Sequence, residues 1–316
     1  MIHAVLGRAL RAWFTTSVLA AGLLTSPAHA EGAPIRIAFP AGMNGQVCVV
    51  MEKAGIARKN GLDAQFTAFQ NGPPMMEALV AGSIDAVVTS LMPVTTYAAK
   101  APGDVKVVAM LGQSSYALMV AKDSPVQGEN DLVGRSLGLS FGSDSHLDAA
   151  IWLKQAGLHE RVKLVNIAPS ELATALANQS VDAIVIRQPQ VRRLQEQSGA
   201  RIIRSWPFRF LSIVKTSFIA GNPTAYARYL DALRETLDYV ARNPEQSSAW
   251  FGEHLRVDPG LIARVAQDDA ALSGSGRADA VVPVDAASRA LIERWMADAH
   301  EHKMIRTKVD GTALFP

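Results

Sequence analysis

The stretch "ALVAGSIDAVVTSLMP" at residues 78–93 recurs as the near copy "ALANQSVDAIVIRQPQ" at residues 175–190. Each copy begins with the apolar spacing of a helix. It continues into a short apolar run, which is typical of a strand covered on both faces. Helices that alternate with buried strands predict a parallel α/β layer architecture. The unit occurs once in each half of the chain and a solenoid needs more repeats, so we expect two similar lobes.

The segments around the two copies continue this alternation. A helix is predicted across residues 46–59, and from residue 222 onward the pattern is helical, with one apolar stripe at Tyr229, Leu233, Leu237 and Val240. Further strands are predicted within residues 35–42, 61–72, 105–111, 116–126, 131–158 (a strand followed by a helix), 162–170, 201–205 and 208–219. In open α/β sheets, ligands bind at the carboxyl ends of the strands. Two such sheets facing each other predict a cleft with one copy of the unit in each wall.

Residues 1–30 have the features of a secretory signal peptide. Arg8 and Arg11 precede a mostly apolar run at residues 12–24, and "PAHA" ends at Ala30 with small residues in the cleavage pattern. The run is too short for a comfortable membrane span. We therefore expect cleavage after Ala30 and export of the mature protein.

The charge and cysteine content exclude several classes of partner. The chain has 31 Lys and Arg against 29 Asp and Glu, and loss of Arg8 and Arg11 leaves 29 of each sign. A neutral mature chain gives no support for a nucleic-acid or anionic-membrane surface. The single cysteine, Cys48, cannot form an internal disulfide and is expected to be a buried thiol. The two histidines of "HEH" (300–302) lie on different helix faces, so no metal site is expected there, and we expect no cofactor.

Four stretches carry a resemblance to a known family. They are "NGPPMMEALVAGSIDAVVTSLMP" (71–93), "KVVAML…YALMVAKDSPV" (106–126), "DLVGRSLGLSFGS" (131–143) and "ELATALANQSVDAIVIRQP" (171–189). In its helix–strand units and turns the chain resembles the periplasmic solute-binding proteins of ABC importers. The similar branch is the nitrate, sulfonate, taurine and thiamine-precursor (NMT1/THI5-like) one. The resemblance covers essentially the whole mature chain, and its motifs are more specific for the family than for the ligand.

The resemblance implies a two-lobe periplasmic binding protein fold of type II. Each lobe would be a mostly parallel sheet flanked by helices, and two crossover strands near residues 116–122 and 208–215 would join the lobes. Lobe 1 would then comprise residues 33–118 and 213–316, and lobe 2 residues 119–212. The resemblance further implies a periplasmic receptor, not an enzyme, that binds a small organic anion and delivers it to an inner-membrane ABC permease. We expect a monomer without a nucleic-acid partner.

The candidate ligand-binding residues lie in loops that follow predicted strands. Arg187 departs from the family, because many relatives have an acidic or aromatic residue before the proline of the second unit. An arginine there can clamp a carboxylate, sulfonate or phosphate through paired hydrogen bonds. The other candidates offer uncharged donors and acceptors, a helix start or an adaptable apolar wall: Asn44, Gln46, Asn71, Gly72, Ser90, Met92, Gly142, Ser143 and Gln188.

Three alternatives stay open from the sequence. The ligand could be a neutral heteroaromatic such as a pyrimidine thiamine precursor, and the protein could serve sensing instead of transport. In another class, "GLSFG" (138–142) satisfies the G-x-S-x-G pattern of a hydrolase nucleophile elbow, with Ser140 as the nucleophile and His254 as a candidate base. No oxyanion-loop motif precedes this stretch. Asp144 could cap the helix that follows, and Tyr116 is expected to pack within a crossover strand.

Overall fold

The computed structural model describes residues 34–69, 72–268 and 280–316. The predicted signal peptide at residues 1–30 and the candidate site residue Asn71 lie outside the described residues. Within the part of the chain that is described, no helix is long and apolar enough to cross a membrane.

The described strands form one sheet that is nearly symmetrical in its order. The order is β2-β1-β3-β8-β4-β7-β5-β6, and the short β9 pairs with β4. The strands are β1 Ile35–Pro40, β2 Ala64–Phe69, β3 Ala86–Thr89, β4 Val105–Val120, β5 Ser136–Leu139, β6 Lys163–Asn166, β7 Ala183–Arg187, β8 Arg201–Lys215 and β9 Ala280–Val281. We call β1, β2 and β3 the first sheet half, and β5, β6 and β7 the second sheet half. Strands within each half are parallel, as the buried apolar runs predict.

Helices flank both halves and form the C-terminal tail. They are α1 Gln46–Lys53, α2 Ile56–Lys59, α3 Gly72–Val80, α4 Leu91–Lys100, α5 Asp144–Gln155, α6 Leu172–Ala177, α7 Gln190–Ser198, α8 Thr216–Gly221, α9 Pro223–Arg242, α10 Pro244–Leu255, α11 Pro259–Asp268 and α12 Ala286–Glu301. The helix predicted across 46–59 is broken in two, because Gly55 adopts a left-handed conformation with φ of 67°. In α9, the predicted stripe is confirmed, since Tyr229, Leu233 and Val240 are buried and Leu237 packs against them.

The central pair of strands differs from the sequence prediction. The runs predicted separately at 105–111 and 116–126 form the single 16-residue strand β4, and those at 201–205 and 208–219 form β8, which ends at Lys215. The residues that link the predicted runs remain paired in the antiparallel β4–β8 ladder. The register of this ladder shifts at three places. Residues 216–221 form helix α8 instead of extending strand β8. Both sheet halves therefore pair with the same two long strands, β4 and β8. The predicted lobe boundaries stay a prediction.

The repeated aspartate performs the same structural role in both copies of the unit. Asp85, before β3, accepts hydrogen bonds from the backbone N–H and the guanidinium of Arg36 on β1. Asp182, before β7, accepts from the backbone N–H and hydroxyl of Ser136 on β5. In each half, the carboxylate thus joins the repeated strand to its parallel neighbour.

Helix α5 of the second half packs against α4 and α12. Met92, Leu147, Ala299 and Ile305 form a buried apolar cluster between these elements. Beside the cluster lies Asp148, which accepts a hydrogen bond from the Tyr116 hydroxyl. Burial raises the pKa of Asp148 to about 7, while the charge of Arg209 lowers it and that of Asp298 on α12 raises it.

This raised pKa predicts that Asp148→Asn stabilises the protein at neutral pH. The folded state holds a proton on Asp148 between the ordinary pKa near 4 and about 7, so stability falls as pH rises through that window and then levels. At pH 8, Asp148→Asn should raise the free energy of unfolding by roughly 2–4 kcal/mol, because it removes a buried charge and keeps an acceptor for Tyr116.

Urea unfolding of both proteins at several pH values checks this prediction. The difference should shrink toward pH 5, where Asp148 is already protonated. A difference that does not vary with pH, or a less stable variant at pH 8, contradicts it.

Candidate functional site

A cleft of about 600 Å³ lies where the two sheet halves meet, and residues from both halves line it. Its walls include the loops after β1 and β3 in the first half and those after β5, β6 and β7 in the second. Each of these loops leads toward the beginning of a helix, where backbone N–H groups have no partner within the helix. Such a site suits a ligand with hydrogen-bond acceptors or negative charge.

The two copies of the repeated unit end at this cleft from opposite sides. Thr89 ends β3 and is followed by Ser90, and Arg187 ends β7 and is followed by Gln188. All four residues line the cleft. The sequence prediction that each copy contributes to one wall therefore agrees with the geometry. Each end also lies against the opposite half: Ser90 meets Asp144 at the start of α5, and Arg187 lies beside Gly42 in the loop after β1.

Arg187 places its guanidinium against the loop after β1. A Cβ atom added to Gly42 would lie only 3.2 Å from the Arg187 Cζ atom. The same Cζ atom lies 5.8 Å from the centre of the Phe208 ring. The described residues provide no hydrogen bond or ion pair to this guanidinium. Burial lowers the pKa of Arg187, while the charge of Asp144 opposes the shift. An arginine remains protonated in proteins, so the cleft contains a cation with free donors.

Asp144 crosses in the other direction, from the start of α5 to the start of α4. Its carboxylate accepts hydrogen bonds from the Ser90 hydroxyl at 2.7 Å and from the Met92 backbone N–H at 3.2 Å. Burial raises the pKa of Asp144, and these hydrogen bonds oppose the shift. The cap of α5 is instead Ser143, whose hydroxyl accepts from the His146 backbone N–H. Asp144 therefore does not cap its own helix; it contributes its charge to the first half.

The structure brings seven of the ten candidate site residues to the cleft. They are Asn44, Gly72, Ser90, Gly142, Ser143, Arg187 and Gln188. Asn44 is 3% exposed, and its Oδ1 has no donor among the described residues. A buried acceptor of this kind needs a partner, so Asn44 offers a ligand a position for an N–H or O–H group.

Two candidates lie away from the cleft lining, and the third remaining candidate, Asn71, is outside the described residues. The Gln46 side chain is buried at the first turn of α1, and Met92 belongs to the apolar cluster between α4, α5 and α12. Neither side chain is among the described residues that line the cleft, and a role of Gln46 or Met92 in ligand binding stays a prediction. A helix start exposes its backbone N–H groups to the cleft, but successive side chains turn away from that direction. Met92 contributes through its backbone N–H instead.

Sequence reasoning missed two aromatic residues of the cleft, Phe141 and Phe208. Phe141 is 47% exposed and stacks on His146 with the ring centres 4.5 Å apart. Phe208 packs edge-on to Tyr116, and both rings line the cleft. Tyr116 is buried in the β4–β8 ladder, as expected of a packing residue. The signal for Phe141 in the sequence is an aromatic residue in "SFGS" (140–143), directly after the end of a predicted strand.

Ser140 does not have the surroundings of a nucleophile. Its hydroxyl donates to the Ile167 carbonyl oxygen at 2.8 Å. His254 packs between Phe39 and Phe251 and does not line the cleft. His146 lies closer in sequence, but its Nδ1 accepts from the Gly142 backbone N–H. Among the residues described, no group of three or more histidine, cysteine or acidic residues could hold a metal ion.

Comparisons with known proteins agree with the geometry. The profile of the family described as NMT1/THI5 like matches residues 47–247. A Brucella abortus protein with the provisional name of a binding protein is 26% identical over 275 residues, which cover 83% of this chain and 84% of the relative. A protein of Escherichia coli strain K12, provisionally named an aliphatic sulfonates-binding protein, is 26% identical over 304 residues and covers 92% of each chain.

Two solved structures show that the fold is shared by receptors and by an enzyme. The crystal structure of the periplasmic aliphatic sulphonate binding protein SsuA from Escherichia coli matches with a TM-score of 0.76 and 23% identity, over 90% of this chain and 92% of that one. The desulfurization enzyme DSZB matches with a TM-score of 0.67 and 16% identity, over 89% and 96%. The predicted periplasmic binding protein fold is thereby confirmed.

We predict that Ser140 does not react as a nucleophile. Its proton is directed to a carbonyl oxygen, and among the described residues no imidazole hydrogen-bonds to it, so none of them activates the hydroxyl. The purified protein should remain unlabelled by a fluorophosphonate probe, as should the control Ser140→Ala. Labelling of the parent protein that disappears in Ser140→Ala would show a hydrolase-like serine.

Proposed function

The chain belongs to the NMT1/THI5-like family, and from this premise we propose that it is an extracytoplasmic solute receptor of an ABC importer. Its ligand on this proposal is a small organic anion of the sulfonate or carboxylate type, bound in the cleft between the two sheet halves. The protein would act in the periplasm and present its solute to a permease in the inner membrane. The apolar leader at residues 1–30 supports export, and the relatives named as binding proteins support a receptor role.

The observation that carries the proposal is the guanidinium of Arg187. It lies in the cleft without a hydrogen-bond or ion-pair partner among the described residues, although burying a charge is costly unless it is paired. A sulfonate or carboxylate supplies that partner and can accept two parallel hydrogen bonds from the guanidinium. The neighbouring Gly42 has no side chain and so allows the guanidinium to lie close to the loop after β1.

A second candidate ligand is a neutral heteroaromatic compound. The aromatic rings of Phe208, Tyr116 and Phe141 line the cleft, and Asn44 offers an unpartnered amide oxygen. Arg187 would then stack on the ring or donate to its acceptors. The two candidates differ in the charge of the ligand, and a thermal-shift screen over sulfonates, nitrate, carboxylates and pyrimidines distinguishes them.

We predict that Arg187→Ala weakens binding of the best anion from this screen by roughly 2–5 kcal/mol, as expected for a desolvated charge-assisted pair. Arg187→Lys should restore part of the loss, because an ammonium retains the charge but not the paired donors. Arg193→Ala is the matched control, since Arg193 lies on the exposed face of α7 and donates to Gln197 one turn further along the helix. Titration calorimetry measures all four proteins. Equal affinity in Arg187→Ala and the parent protein would leave the neutral ligand as the better proposal.

We also predict that Gly42→Ala weakens the same ligand while the fold survives. The added methyl group would lie 3.1 Å from Asn44 Oδ1 and 3.2 Å from Arg187 Cζ, and would displace these groups by a few tenths of an ångström. Gly42 has an extended conformation that alanine adopts readily. The expected loss is smaller than that of Arg187→Ala. Gly128→Ala is the control, because a Cβ at Gly128 meets open space. Unchanged calorimetric affinity in Gly42→Ala would show that the ligand does not depend on this position of the guanidinium.

A further inference from the structure

We propose that Asp144 is a specificity-determining residue of the cleft, in which its carboxylate acts as a built-in anion at the beginning of α4. In this role it satisfies donors that a soluble anion would otherwise bind, and it leaves the ligand's acidic group to Arg187. The inference deepens the proposed receptor function and rests on it.

The near-symmetrical sheet makes two equivalent corners in the cleft. In one corner, the end of the first copy at Ser90 meets Asp144, the first residue of α5. In the other, the end of the second copy at Arg187 meets the loop before α1, at Gly42. Helix α5 begins with Asp144 and helix α1 begins with Gln46. The Asp144 carboxylate stands at the Ser90 corner, whereas the Gln46 side chain is buried away from the cleft lining and brings no charge to the Arg187 corner.

The corner at Ser90 has the chemistry of an anion site that is already satisfied. The Ser90 hydroxyl donates to one carboxylate oxygen of Asp144, and the Met92 backbone N–H donates to the other. The start of a helix also carries partial positive charge, which favours an anion at this position. An external sulfonate or carboxylate would have to displace a carboxylate that is attached to the same molecule.

The corner at Arg187 has the opposite character. Its guanidinium donors lack partners among the described residues, and the Oδ1 atom of Asn44 beside it lacks a donor. The negative charge of Asp144 acts on Arg187 without forming an ion pair with it. A ligand that meets both demands carries an acidic group for Arg187 together with an N–H or O–H group for Asn44.

A role as helix cap does not explain the contacts of Asp144. The cap of α5 is already provided by Ser143, so helix α5 does not need the Asp144 side chain. The carboxylate is buried and reaches residues more than fifty positions earlier in the chain, on the other sheet half. Its removal should therefore change which anions bind, as well as how firmly the two halves hold together.

The test compares binding of methanesulfonate and of inorganic sulfate, by titration calorimetry, to the mature protein and its variants. Asp144→Ala should bind these probes at least about tenfold more tightly than the parent protein, because the competing carboxylate is gone and the donors of Ser90 and Met92 are available. Asp144→Asn should show a smaller gain, since its amide still accepts from Ser90. Asp131→Ala is the matched control, because Asp131 caps the backbone N–H groups of Gln127 and Gly128 within the second half and does not line the cleft.

The double variant Asp144→Ala/Ser90→Ala tests whether the gain in anion affinity depends on the Ser90 hydroxyl. Loss of the gain in the double variant supports the proposal, whereas a gain that persists indicates an effect on Arg187 alone and overturns it. No gain in Asp144→Ala also overturns it. If Asp144→Ala does not fold, Asp144→Asn replaces it: tighter binding of the two anions than in the parent protein supports the proposal, and unchanged binding overturns it. Failure of the receptor proposal is separate, because it appears as equal affinity of Arg187→Ala and the parent protein for the ligand found in the screen.

Discussion

The antiparallel ladder between β4 and β8 is the constraint on which the rest of the structure depends. Strand β3 joins one edge of this pair and β7 joins the other, with Thr89 opposite Leu211 and Arg187 opposite Tyr116. Leu211 in turn pairs with Met110. Since β3 runs in the direction of β4 and β7 runs against it, both copies of the repeated unit end toward the middle of the ladder. The cleft lies where they end because hydrogen-bond register leaves no other meeting point for these two strand ends.

The repeated unit is explained by what each copy must do on its edge of the ladder. Its apolar run must be buried on both faces, and its aspartate must join the strand to a parallel neighbour, as Asp85 does with Arg36 and Asp182 does with Ser136. These demands are local, and they act identically in both halves, so the sequence shows them as a repeat. After the strand, the demands diverge. Serine stands where the first copy meets a carboxylate, and arginine stands where the second copy meets a glycine.

Local patterns of this kind explain which parts of the structure the sequence could predict. Apolar periodicity and turn residues predicted the parallel strands, the tail helix with Tyr229 and Leu233, and the convergence of Ser90 and Arg187 on a cleft. The continuity of β4 and β8 was not predictable, because the polar stretch at residues 112–115 and the proline at residue 207 are typical of loops unless a partner strand holds them in a ladder. The reach of Asp144 across the cleft was not predictable either. It depends on the distance between two helix starts, which is set by the whole sheet and not by neighbouring residues.

The electrostatics of the cleft follow from this geometry. Burying Arg187 costs free energy that a nearby carboxylate can offset, and Asp144 is the charge that acts on it. Yet both carboxylate oxygens of Asp144 already accept hydrogen bonds from the first half, so its charge is shared between a helix start and a guanidinium. Full neutralisation of Arg187 by Asp144 would close the site to anions, and absence of Asp144 would leave two sites that accept them. On the proposed function, the intermediate arrangement would make the Arg187 corner selective for the ligand's acidic group. In a mature chain of balanced charge, that selectivity would come from geometry instead of a general field.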